Sequence, residues 1–207
     1  MRDMAEQKDS LAHRNHPASP KQSLIAIGSN LTSTLGNPQQ NMRFALREMA
    51  NLDARVTAVS RFFATPAFPE GTGPDYVNAA IVIESAQSPD ELLRDLHRIE
   101  SRFERRRETR WGARTLDLDL IAQGQIVAPD AATQTLWRDL DPEAQQRATP
   151  ETLILPHPRL QDRAFVLGPL HDIAPHWRHP LTGLSIAEMF AALPQALRET
   201  LRPLAET

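Results

Sequence analysis

The chain has 207 residues, 41% of them hydrophobic, a formal net charge of −3 and no cysteine. That length and apolar content suit one globular domain with some decoration, while the missing thiols exclude disulfides and thiolate zinc sites and fit a reducing, cytoplasmic setting. The longest apolar runs, Leu24 to Ile27 and Ala79 to Ile83, fall far short of the roughly 20 residues of a membrane-spanning helix, and a mildly acidic chain argues against a broad nucleic-acid-binding face.

Residues 1–20 carry charge of both signs and end in His16-Pro17-Ala18-Ser19-Pro20, without the apolar centre of a signal peptide, so a disordered leader is expected before a single domain over 21–207. Ser23 to Ile27 is a short apolar run ended by Gly28-Ser29-Asn30, which predicts a buried strand running into a loop. Asn37 before Pro38 marks a helix start, and Met42, Ala45, Leu46 and Met49 follow at helical spacing. A second strand is expected from Ala54 to Phe63, where β-branched and aromatic residues gather. Three prolines and two glycines make Thr65 to Pro74 an irregular loop and a candidate binding surface, and Tyr76 to Glu84 reads as a third strand.

Ser88-Pro89-Asp90-Glu91 combines a capping box with proline at the first helical position, ahead of an apolar stripe of Leu92, Leu96, Ile99 and Phe103. Thr115 to Ile121 alternates strictly, with Leu116, Leu118 and Leu120 on one side and Asp117 and Asp119 on the other. The order βαββαβ predicts an α+β fold with a ferredoxin-like core, two helices covering one face of a four-stranded antiparallel sheet. Residues 129–150 are polar and proline-punctuated and read as an insertion with a short helix at Leu136 to Arg147. A C-terminal extension follows, with an apolar segment near Phe165 to Leu170 and a helix from Ser185 that has Glu188 three residues on.

Chemistry concentrates in two places. Asp117 and Asp119 leave one face of a strand with Cα atoms roughly 6.6 Å apart. Two anions that close repel unless a cation lies between them, and oxygen-only ligands suit Mg²⁺ better than zinc, although solvated acids on an exposed strand would show the same spacing. Just upstream, between Arg94 and Arg114, stand eight arginines and no lysine. Arginine forks grip phosphate oxygens in pairs, which beside a metal-holding acid pair is the layout of phosphoryl-type transfer; a solvated helix end is the plainer alternative. No glycine-rich phosphate loop of the GxxxxGK type is present. His157 lies between Pro156 and Pro158 with Arg159 and Arg163 behind it, in a structural or an anion-facing role.

The segments Ile25-Ala26-Ile27-Gly28-Ser29-Asn30, Pro74-Asp75-Tyr76-Val77-Asn78-Ala79-Ala80, Arg110-Trp111-Gly112-Ala113-Arg114-Thr115-Leu116-Asp117-Leu118-Asp119 and Leu155-Pro156-His157 together resemble the 6-hydroxymethyl-7,8-dihydropterin pyrophosphokinase family, from about Ser23 to Leu170 apart from the insertion. The resemblance implies diphosphate transfer from ATP to the hydroxymethyl group of the reduced pterin in tetrahydrofolate biosynthesis, with AMP as the second product. It implies two Mg²⁺ ions on Asp117 and Asp119, and Arg105 and Arg114 closing over the transferred diphosphate. Glu100, Arg107, Arg110, His157 and Arg163 fall on the ATP side. Thr65, Pro66, Tyr76 and Asn78 match a pterin pocket, Phe165 an aromatic stacked on the ring, and Trp111 a mobile loop that closes the site. Expected partners are these small molecules alone, without nucleic acid or membrane, and a monomer is expected. Ala67, His97, Glu104, Ala113 and Pro158 depart from the pattern common in the family. A non-catalytic ferredoxin-like binding module would put aromatics rather than acids on the central strands, and a metal-dependent phosphodiesterase would share the acids but use water as the attacking group.

Overall fold

The computed structural model describes residues 19–67, 73–103 and 114–205. Its elements in chain order are β1 (Lys21–Ser29), α1 (Pro38–Met49), β2 (Arg55–Val59), β3 (Phe63–Thr65), β4 (Tyr76–Ser85), α2 (Pro89–Ser101) and β5 (Asp117–Gln123). There follow α3 (Ala131–Arg138), α4 (Pro142–Arg147), a 3₁₀ turn at Leu160–Asp162, α5 (Ala164–Ile173), α6 (Ile186–Ala192), α7 (Gln195–Glu199) and β6 (Arg202–Pro203). Among the described residues no helix is long and apolar enough to cross a membrane.

The helix starts follow from local chemistry. Asn37, Ser88 and Ser185 each accept a hydrogen bond from the amide three residues on, and Gln40, Glu91 and Glu188 reach back to the cap amide. These capping boxes satisfy amides that a helix end otherwise leaves open.

The six strands form one antiparallel sheet in the order β5-β1-β4-β3-β6, with β2 also paired to β4. The single strand expected from Ala54 to Phe63 is two strands. Between the pairs Val59↔Ile81 and Phe63↔Asn78, one strand uses one more residue than the other. Ser60 manages the break by donating its N–H to Ala80 O while its Oγ accepts from Ala80 N–H, each at 2.9 or 2.8 Å.

One face of the sheet packs Ile25, Ile27, Ile81, Ile83, Leu118 and Leu120 against Met42, Met49, Leu92, Leu96 and Ile99 of α1 and α2. Helices were expected on this face alone. The other is covered too: Leu24, Ala80, Val82 and Ile121 meet Val166, Leu167 and Leu170 of α5 and Ile186 and Met189 of α6. The unbroken apolar run Ala79 to Ile83 is what a strand buried on both faces carries. In the 129–150 segment, α3 and α4 replace the one helix expected at Leu136 to Arg147, because Asp130 and Asp141 each cap a helix of their own.

Candidate active site

On the second face, Asn78, Asp117 and Asp119 lie beyond the apolar cluster that α5 and α6 cover, at the end of the sheet where Gly28 pairs. β1 supplies the floor at Gly28, which pairs with Asn78 of β4 on one side and Asp117 of β5 on the other. A Cβ on Gly28 would lie 2.8 Å from Asn78 Oδ1, so only glycine lets the Asn78 amide lie flat across β1. Asn78 Nδ2 donates to Thr65 Oγ1 at 2.7 Å, and both residues are buried. Tyr76, two residues before Asn78 and half-buried, has its phenol pushed up by burial; Arg114 opposes that shift and Asp117 adds to it. Thr65, Asn78 and Tyr76 thus line one wall of a cleft, and exposed Pro66 follows directly at the end of β3.

The opposite wall is charged. Asp117 and Asp119 pair with Gly28 and Ala26 across β1, so both side chains leave the second face, and both are half-buried. Arg114 forms an ion pair with Asp117. Burial works against the Arg114 charge, but Asp117 and then Asp119 outweigh it and hold the guanidinium above its ordinary value. Arg163, at the start of α5, feels the same acids electrostatically: burial lowers its value and Arg159 and Arg114 lower it further, while Asp119 and Asp117 pull it back. Its guanidinium stands 5.6 Å from the ring centroid of Phe165, so an aromatic and a cation are held together at that rim.

His157 completes this side. Burial, and after it Arg163 and Arg159, pushes its imidazole down to about 3, so the ring is neutral at pH 7. Its Nδ1 accepts the Arg159 amide at 3.0 Å, which leaves the ring proton on Nε2. Its own N–H donates to Ile121 O of β5 at 2.8 Å, fixing the turn beside the acids.

The structure therefore brings together Thr65, Tyr76, Asn78, Arg114, Asp117, Asp119, His157, Arg163 and Phe165. Glu100 is placed differently from a group that faces solvent or ligand: it is 1% exposed, and its Oε1 accepts the Leu118 amide between the two acids at 2.9 Å. Arg105, Arg107, Arg110 and Trp111, with Glu104 and Ala113, lie outside the described residues.

Sequence reasoning gave no role to the polar network behind Arg114. Ser29 Oγ and Asn41 Nδ2 both donate to Thr115 O, at 2.6 and 3.2 Å. Asn30 Oδ1 accepts the Arg114 amide at 2.7 Å while its Nδ2 donates to Pro74 O at 3.1 Å. The one available signal was Ser29-Asn30 directly after a buried strand, a place where short polar side chains replace lost ladder bonds.

Solved structures share this mixed α/β architecture of antiparallel sheet and helices. The Plasmodium falciparum HPPK-DHPS wild-type structure superposes with a TM-score of 0.58 at 11% identity, over 85% of this chain and 45% of that one. The chain thus spans less than half the length of the solved structures it matches. Residues 24–175 match the model of the 7,8-dihydro-6-hydroxymethylpterin-pyrophosphokinase (HPPK) family, and the chain belongs to that family of pyrophosphokinase enzymes. The 2-amino-4-hydroxy-6-hydroxymethyldihydropteridine pyrophosphokinase of Synechocystis sp. is 35% identical over 167 residues, 80% of this chain and 73% of that protein. The protein of the same name from Pseudomonas aeruginosa is 33% identical over 171 residues, 82% and 90% of the two chains.

Proposed function

We propose that the chain transfers diphosphate from ATP to the hydroxymethyl group of 6-hydroxymethyl-7,8-dihydropterin, releasing AMP and the pterin diphosphate, as a step of tetrahydrofolate synthesis. Family membership supports this reading, and one observation carries it at the site. The acid pair Asp117 and Asp119 is coupled to the cations Arg114 and Arg163 and is separated only by β1 from the strand that carries Tyr76 and Asn78.

The acid pair fits Mg²⁺. Its donors are all oxygen, and among the described residues no third His, Cys, Asp or Glu joins them into a protein-only metal cage. Magnesium is commonly held by one or two carboxylates, with water and substrate phosphates completing the shell. Asp117 and Asp119 would hold two such ions, which supply charge neutralisation at the phosphates and lower the pKa of the attacking hydroxyl.

The protein's own part is positioning. Asn78 and Thr65 present fixed polar edges to a flat pterin, with Tyr76 beside them and Phe165 available to stack on the ring. Pro66 belongs to the same pocket, and the resemblance assigns Trp111, outside the described residues, to a loop that would close over it. Arg114, held on Asp117, is placed to exchange that carboxylate for the transferred diphosphate, with Arg105 as its counterpart. His157 donates from Nε2 and Arg163 from its guanidinium to the nucleotide, with Arg107 and Arg110 adding charge and Glu100 fixing the strand that carries the acids.

The strand order β5-β1-β4-β3, with α1 and α2 on one face, supports reading the core as ferredoxin-like. We read the chain as a monomeric cytoplasmic enzyme, with a leader at 1–20, one domain over 21–207 and an insertion at 129–150, and with neither nucleic acid nor membrane as partner. Incubation with ATP, Mg²⁺ and the hydroxymethyl pterin should yield AMP in step with pyrophosphorylated pterin. Production of ADP or of inorganic phosphate instead would overturn the assignment.

A further inference from the structure

The chain leaves the sheet after β5 and returns to it as the His157 turn. Departure and return coincide, because Ala128 N–H donates to Leu155 O at 2.9 Å and Leu155 N–H to Ala128 O at 3.0 Å. Between them runs α3, whose buried residue is not a leucine but an amide. Gln134 is 0% exposed, while Leu136 on the same helix is 64% exposed. The fully buried residue of α3 is therefore polar, with Trp137 only half-buried on the same helix.

Gln134 Nε2 donates to Pro156 O at 3.1 Å. Its Oε1 has no partner among the described residues, so the side chain is buried for its donor, at the cost of an idle acceptor. The carbonyl it holds belongs to the residue before His157. Beyond that carbonyl, His157 is fixed by its amide on Ile121 O, by its own carbonyl accepting Leu160 N–H at 3.0 Å, and by Nδ1 accepting Arg159 N–H. Those ties come from β5 and from the turn itself, whereas among the described residues Gln134 holds the turn from the 129–154 segment.

We propose that α3 buttresses the nucleotide-side turn and that Gln134 is a positioning residue, acting through His157 on the affinity for a nucleoside triphosphate. This rests on the reading of His157 as a nucleotide contact. A purely architectural role would spread its effect over stability alone. A positioning role shows in nucleotide affinity and disappears once the His157 side chain is gone.

The test is a double-mutant cycle on the full chain with Gln134→Met, His157→Ala and the double variant, reading the dissociation constant of α,β-methylene-ATP with Mg²⁺ by calorimetry. Gln134→Met should weaken binding about fivefold and leave pterin affinity within about twofold, and the double variant should bind no worse than His157→Ala. Wild-type affinity in Gln134→Met, or a double variant whose loss is the product of the single losses, overturns the proposal. Should His157→Ala bind like wild type, the nucleotide reading of His157 has failed. The buttress is then judged on hydrogen exchange of the His157 amide: faster exchange in Gln134→Met upholds it, and an unchanged rate ends it. If Gln134→Met does not fold, Gln134→Ala enters the same cycle.

Discussion

The main-chain amide of Leu118 donates to Glu100 Oε1 at 2.9 Å, tying the last turn of α2 to the strand residue between Asp117 and Asp119. β5 is an outer strand of the sheet, so an amide there that does not face β1 needs a partner from elsewhere. Glu100→Ala leaves this buried amide unpaired, and urea unfolding should show a loss of about 1–3 kcal/mol together with reduced turnover. Glu100→Gln keeps an acceptor at the same length and should recover most of both. Equal damage in the two variants would show that the acceptor is not what matters.

Asp117→Asn and Asp119→Asn should each abolish turnover while the fold survives. Both side chains are half-buried on the second face and neither belongs to an apolar cluster, so stability should change by no more than about 1 kcal/mol, including the lost Arg114 pair. Steady-state rates with urea midpoints check this, and wild-type rates in both variants would refute the acid pair. Arg114→Ala should lower the turnover number far more than it lowers pterin affinity.

Gly28→Ala should damage pterin binding selectively. The added methyl would lie 2.8 Å from Asn78 Oδ1, so the amide must leave Thr65 or β1 must shift. A drop of tenfold or more in pterin affinity is expected, about 1.4 kcal/mol, with nucleotide affinity nearly unchanged. Fluorescence titration with the pterin measures it; an unaltered affinity would show that Asn78 can be moved without consequence.

His179 should make the protein acid-sensitive. The ring is 1% exposed, its Nδ1 accepts the Leu181 and Thr182 amides, and burial followed by Arg138 pushes its value from 6.5 to about 4. The unfolded chain takes up a proton near pH 6.5 that the folded chain refuses until about 4, so this stability is full above 6.5 and is lost as pH falls through that window. His157, pushed down to about 3, acts in the same direction. The urea midpoint should fall between pH 6.5 and 4, with a shallower slope in His179→Gln. The same slope in both proteins would contradict the burial argument.

Much of the scaffold could be read from short-range chemistry. Asn37 with Gln40, Ser88 with Glu91 and Ser185 with Glu188 declare helix starts because cap and partner are three residues apart, and the alternation at Leu116 to Ile121 declares a strand because its period is two. The division at Ser60 was hidden because a side chain there replaces a ladder bond, leaving the β-rich composition of Ala54 to Phe63 unbroken. β6 was hidden because two residues, one of them proline, carry no strand pattern, and its pairing with Phe63 and Ala64 exists only in three dimensions.

The site divides in the same way. Asp117 and Asp119 announce themselves by spacing, and the resemblance supplied Thr65, Tyr76, Asn78, His157 and Arg163. The resemblance put Glu100 on the ATP side, but a glutamate in the last turn of an amphipathic helix gives no sign that it will turn inward onto a strand amide. Gln134 gave even less, being one polar residue in a polar segment.

Asn30 offers its acceptor end to Arg114 N–H and its donor end to Pro74 O. A carboxylate of the same shape could satisfy only the first, and an aliphatic neither. The backbone at Pro74 and the backbone at Arg114 are accordingly yoked through one amide plane. Whatever displaces the backbone ahead of Tyr76 is felt at the guanidinium paired with Asp117, so the wall that would greet one substrate and the wall that would greet the other share a single hinge pin.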